Sequence, residues 1–170
     1  MSEKLVQQVA DQIDKAFADT PYPQGEHIGW DGIDDTLRGK HWRDIPLDII
    51  IRERSELSFL TPAGFRFYLP AFMLAALRHY DEVNTLSGYL VASLSPEPQK
   101  DLIDPTKPDY TDWLRKRVAP FKLDEAEAVW AFLKSCRLLH AVDFNNSPYG
   151  DLLDGALQFW EAKVNSTAIV

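Results

Sequence analysis

Cysteine is nearly absent from this chain: Cys136 is the one thiol in 170 residues. A lone cysteine excludes an intrachain disulfide, and a chain that builds no disulfide framework is expected in a reducing compartment. Long apolar runs are missing too. The longest, FYLPAFMLAAL, covers eleven residues from Phe67 to Leu77, between Arg66 and Arg78. A membrane-spanning helix needs about twenty, so no membrane contact is expected. The first residues, MSEKLVQQVADQIDKAF, spread charges through their apolar positions and hold no signal-peptide core. A cytoplasmic location is the expectation.

Positive charge is also in short supply. Eighteen Lys and Arg stand against 26 Asp and Glu, for a net charge of −8 and a pI near 4.9. Proteins that bind nucleic acid draw most of their non-specific affinity from neutralising phosphates. Nucleic acid is therefore excluded as a partner, whereas a basic protein suits this surface. The compact basic cluster Arg115-Lys116-Arg117 adjoins Asp109 and Asp112 and reads as a solvated helix face.

Catalytic signatures are absent as well. There is no G-x-G-x-x-G, no phosphate-binding P-loop, no G-x-S-x-G and no H-E-x-x-H. Cys136 falls inside an apolar helical pattern and reads as a core thiol. His27, His41, His79 and His140 are dispersed. His79 and Glu82 are spaced to share a helix face, but two ligands do not make a metal site. No catalytic residue, cofactor or metal ligand is expected, and the reading leans against an enzyme.

What is present is helical periodicity. Leu5, Val9, Ile13 and Phe17 recur at steps of four within Ser2–Ala18. A short helix is expected from Asp31 to Arg38, and another over Leu47–Glu53 after Pro46. The string Ile49-Ile50-Ile51 is also strand-like. Thr61-Pro62 is a strong helix start, for a helix running toward Tyr80. Further helices are expected from Glu82 to Leu94, over Asp109–Val118, from Asp124 through His140, and from Tyr149 onward. Asp124 with Glu127 suggests a capping box. Ser95-Pro96-Glu97-Pro98 opens a loop to Pro108, and Asn145-Asn146-Ser147-Pro148 reads as a turn. The expectation is one all-α domain over residues 1–170, an irregular bundle of six to eight helices around a central proline-kinked helix.

That central helix is FYLPAFMLAAL. Phe65, Leu69, Phe72, Met73, Ala76 and Tyr80 form one apolar stripe, and Phe67, Ala71, Leu74 and Ala75 a second. A helix apolar on so much of its circumference is surrounded by others. Pro70 disfavours a strand and leaves the Arg66 carbonyl without its helical donor. A kink in one helix is favoured over two helices meeting at Leu69-Pro70. Arg66, flanked by aromatics, needs a carboxylate or carbonyl partner. Internal pairing is favoured over an anion-binding role.

Three segments occur together: RGKHWRDI (Arg38–Ile45), LSFLTPAGFRFYLPAFMLAAL (Leu57–Leu77) and LLDGALQFWE (Leu152–Glu161). The combination resembles a bacterial family of small uncharacterised proteins, a domain of unknown function. The resemblance implies a shared fold and a bacterial cytoplasmic origin, and it brings no activity or catalytic residue.

The densest functional chemistry lies between Trp30 and Trp42. Trp30, Asp31, Asp34, Asp35, His41 and Trp42 are candidate partner-binding residues, because loops carry function more often than scaffold does. For Trp42, anchoring the loop to the core competes with this role. The leading reading is a non-enzymatic protein-binding module, immunity-like, that neutralises a basic partner. The alternative is a small anionic-ligand-binding protein or enzyme using a pocket in the bundle, with His41, Arg66 and Tyr68 around the ligand. A homo-oligomeric subunit is the third reading.

Overall fold

The structure, a computed structural model, describes residues 2–25, 27–30, 32–83, 85–96 and 110–169. Among these it contains nine α-helices, two 3-10 turns and no strand beyond an isolated Gly29–Leu60 bridge. Asp31 and most of the expected loop to Pro108 lie outside the described residues.

The helices are α1 (Ser2–Ala16), α2 (Ile33–Leu37), α3 (Leu47–Glu53), α4 (Pro62–Arg78), α5 (Leu86–Ser93), α6 (Tyr110–Val118), α7 (Leu123–Leu139), α8 (Ala141–Asn145) and α9 (Tyr149–Ala168). The 3-10 turns cover Trp42–Asp44 and Leu57–Phe59. The isoleucine triplet is helical, so Pro46 at the N-cap of α3 outweighs β-branching there. The helix not expected from sequence is α8, which follows α7 directly through His140. α5 begins at Leu86, four residues later than its apolar pattern suggests. Val83 still reaches the core from the preceding turn.

α4 is the axis. Thr61 caps it, its hydroxyl accepting the Gly64 N–H at 3.1 Å, and Pro62 occupies the first turn, where a missing N–H costs nothing. Both apolar stripes of α4 are buried from Phe65 to Leu77, with Arg66 alone in that run reaching the solvent boundary. Pro70 lies within one unbroken helix. α1, α3, α5 and α6 pack on α4, while α7 fits between α1 and α9, and α9 also covers α5 and α8. The buried apolar residues form one continuous cluster. Trp160 of α9 donates its indole N–H to the Leu94 carbonyl at 3.0 Å, tying α9 to the end of α5.

Arg66 has the carboxylate its position demands. Its guanidinium holds Glu125 of α7 through contacts of 2.9, 2.9 and 3.2 Å. The Glu125 side chain is 1% exposed and that of Arg66 12%. The Thr20 hydroxyl donates to Glu125 Oε1 at 2.7 Å, and the Lys122 backbone N–H to Oε2 at 2.8 Å. Helix α7 therefore starts at Leu123 with Lys122 as N-cap, and the glutamate that reaches back is Glu125, not Glu127. Asp124 instead accepts the Glu125 N–H at 2.9 Å.

Removing one member of a buried ion pair strands the other charge, at a cost of about 3–5 kcal/mol. Glu125→Ala is expected to destabilise by that amount in urea denaturation, and Arg66→Met/Glu125→Leu to recover most of it. Gly64 gives a second test. A β-carbon there would lie 2.3 Å from the Ile28 carbonyl oxygen. Gly64→Ala is therefore expected to lose about 1–3 kcal/mol, although alanine is the better helix former.

Candidate functional site

The segment from Ile28 to Trp42 is held by backbone as much as by side chains. The Thr61 N–H donates to the Ile28 carbonyl at 2.9 Å, and the Trp30 N–H to the Phe59 carbonyl at 3.0 Å. Gly64 then packs directly on the Ile28 carbonyl. The FLTPAG portion of the α4 block, Phe59–Gly64, is thus the strip to which the loop is stitched. Gly39, at φ 77°, turns the chain into the 3-10 segment, and its N–H donates to the Tyr22 hydroxyl at 2.8 Å.

The candidate partner-binding residues divide. Trp30 is 64% exposed, and Asp35 faces solvent on α2. Asp34 is buried: it accepts the Ile28 N–H at 2.6 Å and takes two hydrogen bonds from Arg38 at 2.9 and 3.1 Å. Those bonds, Arg38's first and Ile28's second, hold its carboxyl below the usual aspartate range. Trp42 is 2% exposed, so it anchors the loop, and its indole N–H has no partner among the described residues. His41 is half-buried, accepts the Arg43 N–H at its Nδ1 and meets Phe67 edge-on.

The alternative trio of His41, Arg66 and Tyr68 does not gather around a cavity. Arg66 is committed to Glu125. The Tyr68 hydroxyl is buried and donates within 2.8 Å of the Leu37 and Lys40 carbonyls. Burial also raises its pKa, which keeps it protonated. A cleft of about 420 Å³ does lie beside this region. Trp42, Ile50 and Leu74 form part of its apolar wall, with Arg43, Arg78 and His79 at its edge. None of the trio lines it.

The basic cluster on α6 also splits. Arg115 and Lys116 are solvated and lie near Asp112, at 3.9 and 2.8 Å. Arg117 corrects the expected solvated face: it is 5% exposed. Successive residues on a helix point about 100° apart, so three consecutive basic residues cannot share a face. The Arg117 guanidinium lies over the Phe65 ring at 4.4 Å and the Trp113 ring at 5.0 Å, and it donates to the Leu57 carbonyl at 2.9 Å. Burial lowers its pKa to about 10.

Sequence inspection missed the outcome of these contacts. Trp30 bonds to the backbone of Phe59, the 3-10 turn carrying Phe59 bonds to Arg117, and Arg117 stacks on Trp113. Phe59 is 39% exposed and Trp113 41%. Three exposed aromatics from three separate segments are thus linked through one turn and one buried arginine. Only Trp30 carried a local signal, because the others are joined by tertiary contacts.

Elsewhere the chemistry is quiet. Cys136 is buried and its thiol pKa is pushed up to about 12 by burial, as befits a packed, unreactive group. His79 and Glu82 bond at 2.9 Å. No group of three or more potential metal ligands is present among the described residues. Nor is any described helix long and apolar enough to cross a membrane.

The depressed pKa of Asp34 has a pH consequence. A carboxyl with a lower pKa folded than unfolded stabilises the fold above its ordinary value, and that stability drains away as pH falls through the folded value. Melting temperature is expected to drop below about pH 4, and Asp34→Asn, which cannot titrate, to flatten that acid limb in thermal scans.

No curated protein and no solved structure matches this chain. The profile of a family of unknown function, DUF6714, matches residues 21–164, which include the stitched loop, all of α4 and most of α9, and the chain belongs to that family.

Proposed function

We propose that this protein is a non-enzymatic binding module for a basic protein partner, of the immunity-like kind, and that it works in the cytoplasm. The observation that carries this reading is the linked exposed set Trp30, Phe59 and Trp113 on a chain of net charge −8. Tryptophan is among the residues most enriched at binding hot spots, and clustered exposed apolar side chains on a soluble domain mark interaction sites. The support beneath is rigid: a backbone bridge at Gly29–Leu60 and a buried arginine behind the turn. A preorganised surface loses little side-chain entropy on association.

The division of labour follows from the chemistry. The aromatics bury apolar area in the complex and set its lifetime. The acidic surface, including exposed Asp35 near Trp30, draws a basic partner and accelerates encounter. Asp34 and Trp42 hold the loop from below and act as positioning residues. With Arg66 and Tyr68 bonded internally, the anionic-ligand alternative lacks both its cation and its hydroxyl.

The test is affinity capture from the native host with the intact protein as bait. The expected result is one stoichiometric basic protein, whose capture falls at least about tenfold with Trp30→Ala or Trp113→Ala and weakens as salt is raised. Trp30→Ala should melt as the parent does, whereas Trp113→Ala, which removes one of the two rings over Arg117, should melt somewhat lower while remaining folded. Absence of a stoichiometric partner, or capture indifferent to both tryptophans, would overturn the reading. A concentration-dependent dimer in light scattering that Trp30→Ala abolishes would assign the surface to a second copy of the chain.

A further inference from the structure

A second cleft, of about 370 Å³, lies where the end of α4 and the start of α5 meet α8 and the start of α9. Its lining includes Tyr80, Asp81, Ser87, Asp143, Phe144 and Tyr149. This volume is in the range of small-molecule sites, which combine apolar walls with a few fixed polar groups. Three observations describe what it would accept.

The first is charge. The ionised groups lining the cleft are Asp81 and Asp143, and no Lys or Arg lines it. The neighbouring imidazole, His140, stacks flat on Tyr80 at 3.4 Å, and burial favours its neutral form. The Tyr80 hydroxyl donates to Asp143 Oδ2 at 2.6 Å. That bond fixes the carboxylate and leaves Oδ1 without a protein donor among the described residues.

The second is an unused hydroxyl. Ser87 is 4% exposed, lines the cleft, and makes no side-chain hydrogen bond among the described residues. A serine inside a helix commonly bonds back to a carbonyl of the preceding turn, as Ser93 and Ser135 do here. The fully enclosed unpartnered side-chain atoms among the described residues are Trp42 Nε1 and Arg117 Nε; the Ser87 hydroxyl instead borders the cleft, where a ligand can meet it. The third is the apolar wall of Tyr80, Phe144 and Tyr149. The Tyr149 ring lies so close to α5 that a β-carbon on Gly88 would come within 2.8 Å of it.

We infer that this cleft binds an alkylammonium group, held by Asp143 and Ser87 with its hydrocarbon stem against the tyrosine and phenylalanine rings. An ammonium supplies three donors for the carboxylate oxygen and the hydroxyl, and aromatic faces attract a cation. The group belongs either to a free small amine or to a lysine side chain of a protein. The site shares no residue with the surface around Trp30 and stands independently of it.

The test is an NMR titration of the intact protein with 1,5-diaminopentane, with a capped lysine amide, and with 1,5-pentanediol as the uncharged isostere. The expected result is saturable shifts of the cleft resonances with a dissociation constant of about 1 mM or tighter for an amine, and none with the diol. Asp143→Asn should weaken binding about tenfold. Ser87→Ala, which leaves the charge intact, should weaken it severalfold. Binding of the diamine identifies a free amine as ligand, and binding of the capped lysine alone identifies a protein side chain. The inference is overturned if no amine saturates the shifts, if the diol binds as well as the amine, or if neither substitution weakens binding.

Discussion

The carboxylate of Glu125 is the point on which the assembly turns. It is almost completely enclosed, and an ion in that position is tolerable only when its oxygens are filled. Arg66 fills them from α4, Thr20 from the segment after α1, and the Lys122 backbone from its own helix start. One group therefore sets how α4, α7 and the exit of α1 meet. Arg66 is doubly constrained, because Pro70 denies its carbonyl the usual helical donor. The fold thus places the partner of its most enclosed carboxylate and a missing helical hydrogen bond at the same residue, within the long apolar helix α4.

A second buried charge is handled differently. Arg117 faces no carboxylate among the described residues; two aromatic faces and the Leu57 carbonyl receive it instead. A weakly hydrated planar cation suits such surroundings better than an ammonium would. Glu125 with Arg66 locks helices together, whereas Arg117 props up a turn whose outward side carries Phe59.

Much of the fold was legible in the sequence, because it rests on local signals. The steps of four in α1, the Thr61-Pro62 start and the stripes of α4 each point to helix without reference to any other segment. The pairing of Arg66 was legible as a need, since a guanidinium among aromatics must find an acceptor, but Glu125 lies 59 residues away and was not identifiable. The same distance explains the misplaced cap on α7, where Asp124 and Glu127 fitted the spacing rule and tertiary contact chose Glu125. The candidate surface was half legible. Trp30 and Asp35 face outward, whereas Asp34 turns in to the Ile28 N–H and Arg38 and Trp42 turns into the core; composition does not distinguish such a carboxylate or indole from an exposed one. Phe59 and Trp113 carried no signal, since their neighbourhood arises only when the 3-10 turn meets α6.

The stitching of the loop to the start of α4 is made by peptide groups, from Ile28 to Thr61 and from Trp30 to Phe59. Every residue supplies a backbone carbonyl, and every residue but proline an N–H. The side chains at 30 and 59 therefore project from a seam whose strength does not depend on what they are. Substitutions there, proline at position 30 excepted, leave the join intact, whereas the packing behind it depends on the missing side chain of Gly64, where any β-carbon would meet the Ile28 carbonyl.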